Sequence, residues 1–498
     1  MNLCVSLVIN LIILAFSNAD EDAWWKNTIV YQIYPRSFQD SDGDGIGDLK
    51  GIESRLNHFV DVGIETIWLS PIYKSPMKDF GYDISDFKDV DPTFGTIEDF
   101  KSLMAKAEDL QLNVIMDFVP NHSSDEHEWF NKSVNGEDPY TDYYVWADPK
   151  GLDENGLPIP PNNWVSIFGG SAWTYNEQRD QFYYHQFLAE QPDLNYRSEA
   201  LLQEMLDILS FWLDLGVDGF RMDAVFHLVE SIQLKDEPLS NNTNDPNDYG
   251  YLDHIYTTNQ PETVETLGKF YDFLKSYALS DGHDRISMLE VYASSKDLQE
   301  YHEVSDFPFN FNFIGLNKDI QAKEVANSIS DWMNNLPEEK TANWLLGNHD
   351  QWRIGSRTSP EIIDALNFLT LTLPGVAITY YGEEIGMLNG NISYENTVDP
   401  SGCKCGPDHY ADQGCSRDPE RTPMQWQNKT SAGFSRTNNT WLPVNPNFEV
   451  LNVEDQILDP TSHLRIYKSA IELRKSLPGL YAGNVEANAI ENILMYTR

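Results

Sequence analysis

Positive charge is scarce in this 498-residue chain. Lys and Arg total 34 against 78 Asp and Glu, a formal net charge of −44. A field of that sign repels phosphate backbones and anionic bilayers, so nucleic acid and charged membrane surfaces are disfavoured as partners. It leaves a neutral ligand or a cation, and most of the charge needs no role beyond solvating the surface. Cysteine is scarce too: four in the whole chain exclude a disulfide-stapled scaffold. Long apolar runs are missing. The one candidate, Leu3 to Phe16, is interrupted by Ser6 and Asn10 and is short for a membrane span of about 20 residues. It leads into Ser17-Asn18-Ala19, small residues of the kind a signal peptidase reads, although no Lys or Arg precedes it. Residues 1–19 are expected to be a cleavable signal, and the protein secreted. Removal takes Cys4 and leaves Cys403, Cys405 and Cys415, which predicts one bridge within that group and one thiol left over. Asn-x-Ser/Thr sequons at Asn131, Asn241, Asn391, Asn428 and Asn438 fit a secreted glycoprotein.

What is present is rhythm. Short β-branched runs alternate with segments of helical period, the pattern of a parallel sheet with crossover helices. The expected strands are Thr28–Tyr34, Glu65–Ser70, Leu112–Phe118, Val217–Arg221, Ile286–Val291, Phe307–Phe313, Ala342–Leu346 and Gly375–Tyr380. Eight strands point to a closed (β/α)8 TIM barrel, assigned to residues 20–122 and 196–477. Between them Ile52, Leu56, Phe59 and Val60 form one helical stripe, Phe100, Leu103, Met104 and Ala107 a second, and Leu201, Met205, Ile208, Phe211, Trp212 and Leu215 a third. Residues 123–195 are rich in Tyr, Trp, Pro, Asn and Gly and too long for an ordinary loop, so they are expected to form an inserted subdomain. A second irregular stretch, from Asn389 to about Pro460, carries the cysteines.

Barrel enzymes place their chemistry where strands meet the following loops. Here those ends read Asp117-Phe118-Val119-Pro120-Asn121-His122, Gly219-Phe220-Arg221-Met222-Asp223, Met288-Leu289-Glu290 and Leu346-Gly347-Asn348-His349-Asp350. Singly, an Asp after a strand is more often a helix N-cap, and Arg221 could be a plain ion-pair partner. Jointly, four acids are sent to one mouth, where mutual repulsion demands a purpose. Glycoside cleavage supplies one. Its oxocarbenium-like transition state needs one carboxylate at the anomeric carbon and one protonated carboxyl at the leaving oxygen.

On these motifs the sequence resembles the α-amylase superfamily, family 13 of the glycoside hydrolases, in its oligo-1,6-glucosidase and insect maltase branch. The similarity runs from Trp24 to about Leu480 and includes Gln191-Pro192-Asp193-Leu194-Asn195 and Tyr380-Tyr381-Gly382-Glu383-Glu384. It implies Asp223 as nucleophile, Glu290 as acid/base and Asp350 as transition-state stabiliser. His122 and His349 would hydrogen-bond the first sugar, with Arg221 partnering the nucleophile. Asp79 and Tyr82 would form the clamp and platform for the terminal sugar, Arg421 a second contact to it, and Phe187 an aromatic wall. A charged clamp at one end makes a pocket, which implies release of single glucosyl units from maltose, sucrose or short malto-oligosaccharides. Ala224 lies where this branch varies with linkage preference, and a small residue there does not choose between linkages.

The segment Asp40-Ser41-Asp42-Gly43-Asp44-Gly45-Ile46-Gly47-Asp48 alternates carboxylates with turn-permitting glycines, the oxygen density that hard cations prefer. An EF-hand is excluded because its twelfth position is Gly51; the bland alternative is an acidic loop ending in a helix N-cap at Asp48. Similarity to the branch's calcium loop implies a structural calcium ion on Asp40, Asp42, Asp44, Asp48 and the Ile46 carbonyl, with no organic cofactor. Residues 478–498 would be the start of the branch's C-terminal β-domain, left incomplete, with one strand at Asn492–Tyr496. Two rivals accompany the α-glucosidase reading. One is a transglucosidase or sucrose isomerase; the other is a non-catalytic homologue acting as a receptor or transporter heavy chain.

Overall fold

The computed structural model describes residues 23–410 and 414–498; the expected signal, residues 1–19, lies outside them. Eight parallel strands follow one another around a nearly closed barrel: β1 (Ile29–Ile33), β2 (Thr66–Leu69), β3 (Asn113–Phe118), β4 (Gly219–Met222), β5 (Ile286–Leu289), β6 (Phe307–Pro308), β7 (Asn343–Leu345) and β8 (Val376–Tyr380). The crossover helices are α1 (Leu49–Val62), α2 (Ile97–Asp109), α3 (Glu199–Asp214), α4 (Pro261–Asp281), α5 (Gln299–Glu303), α6 (Ala322–Asn335) and α7 (Ile363–Thr372), and α8 (His463–Ser476) returns after β8. The expected TIM barrel is therefore present.

The strand alternation divides the apolar residues into two layers. Val30, Trp68, Ile115, Ile286, Met288, Leu345, Val376 and Ile378 point inward and fill the barrel. Their neighbours Tyr31, Ile67, Val114, Met116, Phe220 and Leu289 point outward against the helices. The same parity continues upward, because side chains two apart share a face. Ile115 is followed on its face by Asp117, Gly219 by Arg221 and Asp223, and Met288 by Glu290. The floor of the site is thus the upper layer of the barrel's interior.

Helix ends follow their local chemistry. Asp48 caps α1 by accepting from the Gly51 amide, Thr96 and Asp99 form a capping box on α2, and Ser198 caps α3. Most of the expected stripes are buried, including Ile52, Leu56, Phe59, Leu201, Met205 and Trp212; Val60 is an exception, 45% exposed at the flank of α1. The sixth strand also differs from expectation. It ends at Pro308, whose missing N–H cannot extend a ladder, and Phe311–Phe313 form a 3-10 turn. The seam between β6 and β7 has no ladder pairing, and two amides bridge it. Asn343 Nδ2 donates to the Pro308 carbonyl at 2.9 Å, and the Asn310 N–H donates to Asn343 Oδ1 at 2.8 Å.

Between β3 and α3 the chain leaves the barrel. Strands Trp146–Ala147, Gln181–Tyr184 and Trp173–Asn176 form a small antiparallel sheet, packed around Trp164, Trp173, Phe182 and Tyr184. At the C-terminus a hairpin, β9 (Glu486–Ile490) with β10 (Ile493–Thr497), packs on α6. Among the described residues no helix is long and apolar enough to cross a membrane.

Candidate active site

A cavity of about 440 Å³ opens at the carboxyl ends of the strands. Asp223, Glu290 and Asp350 line it together with Asp79, Tyr82, His122, Phe187, His349 and Arg417. The three acids, widely separated in sequence, face one space.

Arg221 organises the floor. It is 1% exposed, and its Nη1 lies 2.8 Å from Asp117 Oδ1 and 2.5 Å from Asp223 Oδ1, while Nη2 lies 2.8 Å from Glu290 Oε2. In-register pairing of β3 with β4 sets Arg221 directly beside Asp117. The Trp68 ring covers the guanidinium at 5.1 Å, and its Nε1 donates to Asp117 Oδ2 at 3.2 Å. One cation therefore faces three carboxyls. Burial pushes Asp117 up to about 7 against the pull of Arg221. Burial likewise holds Asp223 above the ordinary carboxylate range, with Arg221 opposing and Glu290, Asp117 and Asp350 adding to it. The cluster retains a proton near neutrality.

Asp350 has the opposite environment. Burial disfavours its ionisation, but His349, Arg421, Arg417 and Arg221 outweigh that and hold its carboxyl below the usual range. Arg421 Nη2 lies 2.7 Å from Asp350 Oδ1, and Arg417 Nη1 lies 3.3 Å from the same oxygen. Arg417 also reaches Asp79 Oδ1 at 2.8 Å and Asp399 Oδ1 at 2.6 Å. Tyr82 stacks on His349 with ring centroids 5.3 Å apart, and its hydroxyl meets His349 Nε2 at 2.6 Å. His122 Nε2 lies 3.0 Å from the Tyr82 carbonyl, and burial lowers this imidazole to about 4, so it serves as a neutral hydrogen-bonding group. Phe187 packs its ring 5.0 Å from His122. Such a floor can present an ionised carboxylate, a proton and a fixed anion to one bound ring.

Residues 32–483 match the family described as the alpha amylase catalytic domain. The chain belongs to the α-amylase family of glycoside hydrolases. Maltase 1 of Drosophila virilis is 52% identical over 467 residues, which cover 92% of this chain and 73% of that protein. The salivary alpha-glucosidase of Aedes aegypti is 45% identical over 486 residues, 95% of this chain and 83% of that one. The crystal structure of an alpha-glucosyl transfer enzyme, XgtA, is similar with a TM-score of 0.88 at 36% identity, covering 96% of this chain and 89% of that one.

In this α-amylase family member the expected site residues fall in two shells. Eight of the ten line the cavity, whereas Arg221 and Arg421 lie behind it. Arg421 was expected to touch the terminal sugar. It is instead 1% exposed, covers Tyr34 at 5.2 Å, donates through Nε to the His349 carbonyl at 2.6 Å and supports Asp350 from the rear. Arg417, four residues earlier, takes the cavity-facing position. Its presence in Arg417-Asp418-Pro419-Glu420-Arg421 was visible in sequence, but nothing there ranked one arginine above the other. Sequence reasoning also missed Gln191, whose amide bridges Asp79 Oδ2 at 3.3 Å and His122 Nε2 at 3.2 Å, and Gln32, whose Nε2 lies 2.9 Å from His349 Nδ1. Strand parity could have found Gln32, two residues after inward-facing Val30.

The acidic loop lies outside the cavity. Asp40, Asp42 and Asp48 each offer a carboxylate oxygen within 4.8 Å of one another; Asp44 stands outside that set, and Ile46 is half-buried. Asp40 accepts from the Gly43 and Gly45 amides at 2.6 and 2.9 Å and from Ser435 Oγ at 2.5 Å, and Asp48 accepts from the Ser41 amide at 2.7 Å. Burial, then Asp42, Asp40 and Asp48, raise Asp44 above the ordinary carboxylate range, and the Ile46 amide opposes them. Gly45, at φ +97°, is fixed by crowding as well as by its turn, since a Cβ there would meet the Asn439 carbonyl at 2.1 Å. Cys405 bonds Cys415 and leaves Cys403 as an exposed free thiol.

Proposed function

We propose that this protein is a secreted retaining α-glucosidase that removes terminal α-glucosyl units from maltose, sucrose or short malto-oligosaccharides. The observation that carries the reading is one guanidinium, Arg221, touching both Asp223 and Glu290. Two carboxyls held at the two ends of one side-chain fork are too close to admit the intervening water that an inverting enzyme needs.

Asp223 attacks the anomeric carbon. Its contact with Arg221 is the shortest of the three, which opposes the effect of burial and favours negative charge there. As the glycosidic bond breaks, Glu290 protonates the leaving oxygen and a glucosyl ester forms on Asp223. Glu290 then takes a proton from water, which attacks the same carbon and releases Asp223, so the first product is α-glucose. Asp350, kept anionic by its cations, grips hydroxyls beside the reacting carbon. Asp79, fixed by Arg417, closes the end of the pocket.

The acidic loop fits a structural calcium ion. Asp40, Asp42 and Asp48 would hold it, with Asp44 and the Ile46 carbonyl completing an all-oxygen set. Secretion rests on the signal-like first 19 residues and on similarity to a salivary relative. The similarity to an α-glucosyl transfer enzyme favours a second reading, in which a sugar replaces water in the second step. NMR of the earliest products from maltose and sucrose tests both: α-glucose first supports retention, β-glucose first refutes it, and new disaccharides mark transfer.

A further inference from the structure

The chain after β4 travels a long way before α4 begins, through the polar segment Asn241-Asn242-Thr243-Asn244-Asp245-Pro246-Asn247-Asp248. Most of that segment is solvent-exposed, yet the next residue, Tyr249, turns its ring to the catalytic cavity. The ring is unusually well fixed. The His254 imidazole stacks on it, centroids 3.7 Å apart and 6° from parallel. His254 Nε2 lies 2.7 Å from the carbonyl of Tyr249 itself, and Nδ1 lies 2.9 Å from Glu237 Oε2. One histidine therefore fixes both the backbone and the ring of the tyrosine. Glu237 is 3% exposed, and its other oxygen accepts from the Tyr256 amide at 3.1 Å and Thr257 Oγ1 at 3.0 Å.

The contribution of this hydrogen-bonded His254–Glu237 pair is geometric: each partner holds the other in place. What it orients here is an aromatic face at the wall of a sugar pocket. The carboxylates at the strand ends form the floor, where the reacting ring must lie. Tyr249, borne on a loop and not on a strand end, lines the wall of the same cavity. Its loop also braces the inserted subdomain, because the Asn247 carbonyl accepts from the Gly170 amide at 2.9 Å beside cavity-lining Phe168.

We propose that Tyr249 is a specificity-determining wall for the second sugar, the one that leaves as substrate and returns as acceptor, and that His254 and Glu237 are its positioning residues. The inference rests on the glycosidase reading above. An ordered aromatic face binds a sugar without a further ordering cost, so the pair acts by preorganisation.

The test compares maltotriose with α-glucosyl fluoride, a donor whose leaving group is not a sugar. Tyr249→Ala should lower kcat/KM on maltotriose about tenfold more than on the fluoride, mainly through KM, and should reduce transfer to added maltose. Tyr249→Phe should retain most of the maltotriose activity. His254→Ala should reproduce the substrate-dependent loss in smaller measure, and the double variant should lose no more than Tyr249→Ala alone, because His254 acts through the tyrosine. Equal losses on both donors would assign Tyr249 a merely structural role and overturn the proposal. So would unchanged maltotriose kinetics, or additive losses for His254. A wild-type protein inactive on both donors would overturn the glycosidase reading itself, an outcome distinct from either. Circular dichroism separates misfolding from these effects, and Tyr249→Phe keeps the comparison available if the alanine variant fails to fold.

Discussion

At the barrel mouth, Asp117, Asp223, Glu290 and Asp350 are met by the guanidinium groups of Arg221, Arg417 and Arg421. In the loop of residues 40–48, Asp40, Asp42, Asp44 and Asp48 are met chiefly by backbone amides. Arg221, delivered by strand parity, and Arg417 and Arg421, delivered by the chain after β8, set the charge environment of these carboxyls before substrate arrives. Backbone amides fold a loop around its carboxylates but bring only partial charges, with no side-chain cation fixed among them. Like residues thus sit in two settings, paired with side-chain cations at the mouth and with backbone amides in the loop.

The largest effect that sharpens this contrast comes from the floor. Asp223→Asn should lower kcat on maltose by roughly 10⁴-fold or more, with an unchanged circular dichroism spectrum, since the group that forms the covalent bond is gone. Arg221→Met should lower unfolding free energy by about 3–5 kcal/mol at neutral pH, because three buried carboxyls lose their cation. Chemical denaturation measures it, and the deficit should shrink as acid neutralises those groups. Arg417→Ala should raise KM about tenfold with a smaller change in kcat, since Asp79 loses its partner while Asp350 keeps Arg421.

A quieter acid lies beneath the mouth. Burial pushes Glu383 up to about 8 from an ordinary 4.5. Its carboxyl holds its proton more tightly folded than unfolded, so its contribution is complete below about 4.5 and is lost as pH rises through about 8. The wild-type melting temperature should therefore fall between about pH 5 and pH 9 by more than that of Glu383→Gln. In the acidic loop the effect is smallest. Chelation should lower the melting temperature by about 2–4 °C, and Asp40→Ala should remove the response to added calcium. A response identical in Asp40→Ala and wild type would place the ion elsewhere.

Much of this architecture was legible in the chain because two periods were clear. Alternation located the eight strands, and three of the four acids that end them, Asp223, Glu290 and Asp350, line one cavity, while Asp117 is buried behind it. It did not show where β6 stops, although Pro308 gave the physical reason in plain view. The helical stripe on α1 was read one residue too wide, since Val60 turns to solvent. Residues whose placement depends on loops were harder. Arg417 and Arg421 are chemically identical in sequence, and only the fold sends one to the cavity and the other behind it. Tyr249 was invisible, because no period runs through its polar loop and its partners, His254 and Glu237, have no local signature.

The central claim is that Asp223 forms a covalent bond to the sugar while Glu290 handles the proton. The direct measurement is to mix the protein with a slow 5-fluoro-α-glucosyl fluoride, quench, digest and locate the added sugar by mass spectrometry. The account predicts a glycosyl ester on the peptide containing Asp223, lost when that residue is Asn. A fully active enzyme that accumulates no adduct, or an adduct on Glu290 or Asp350, would contradict it.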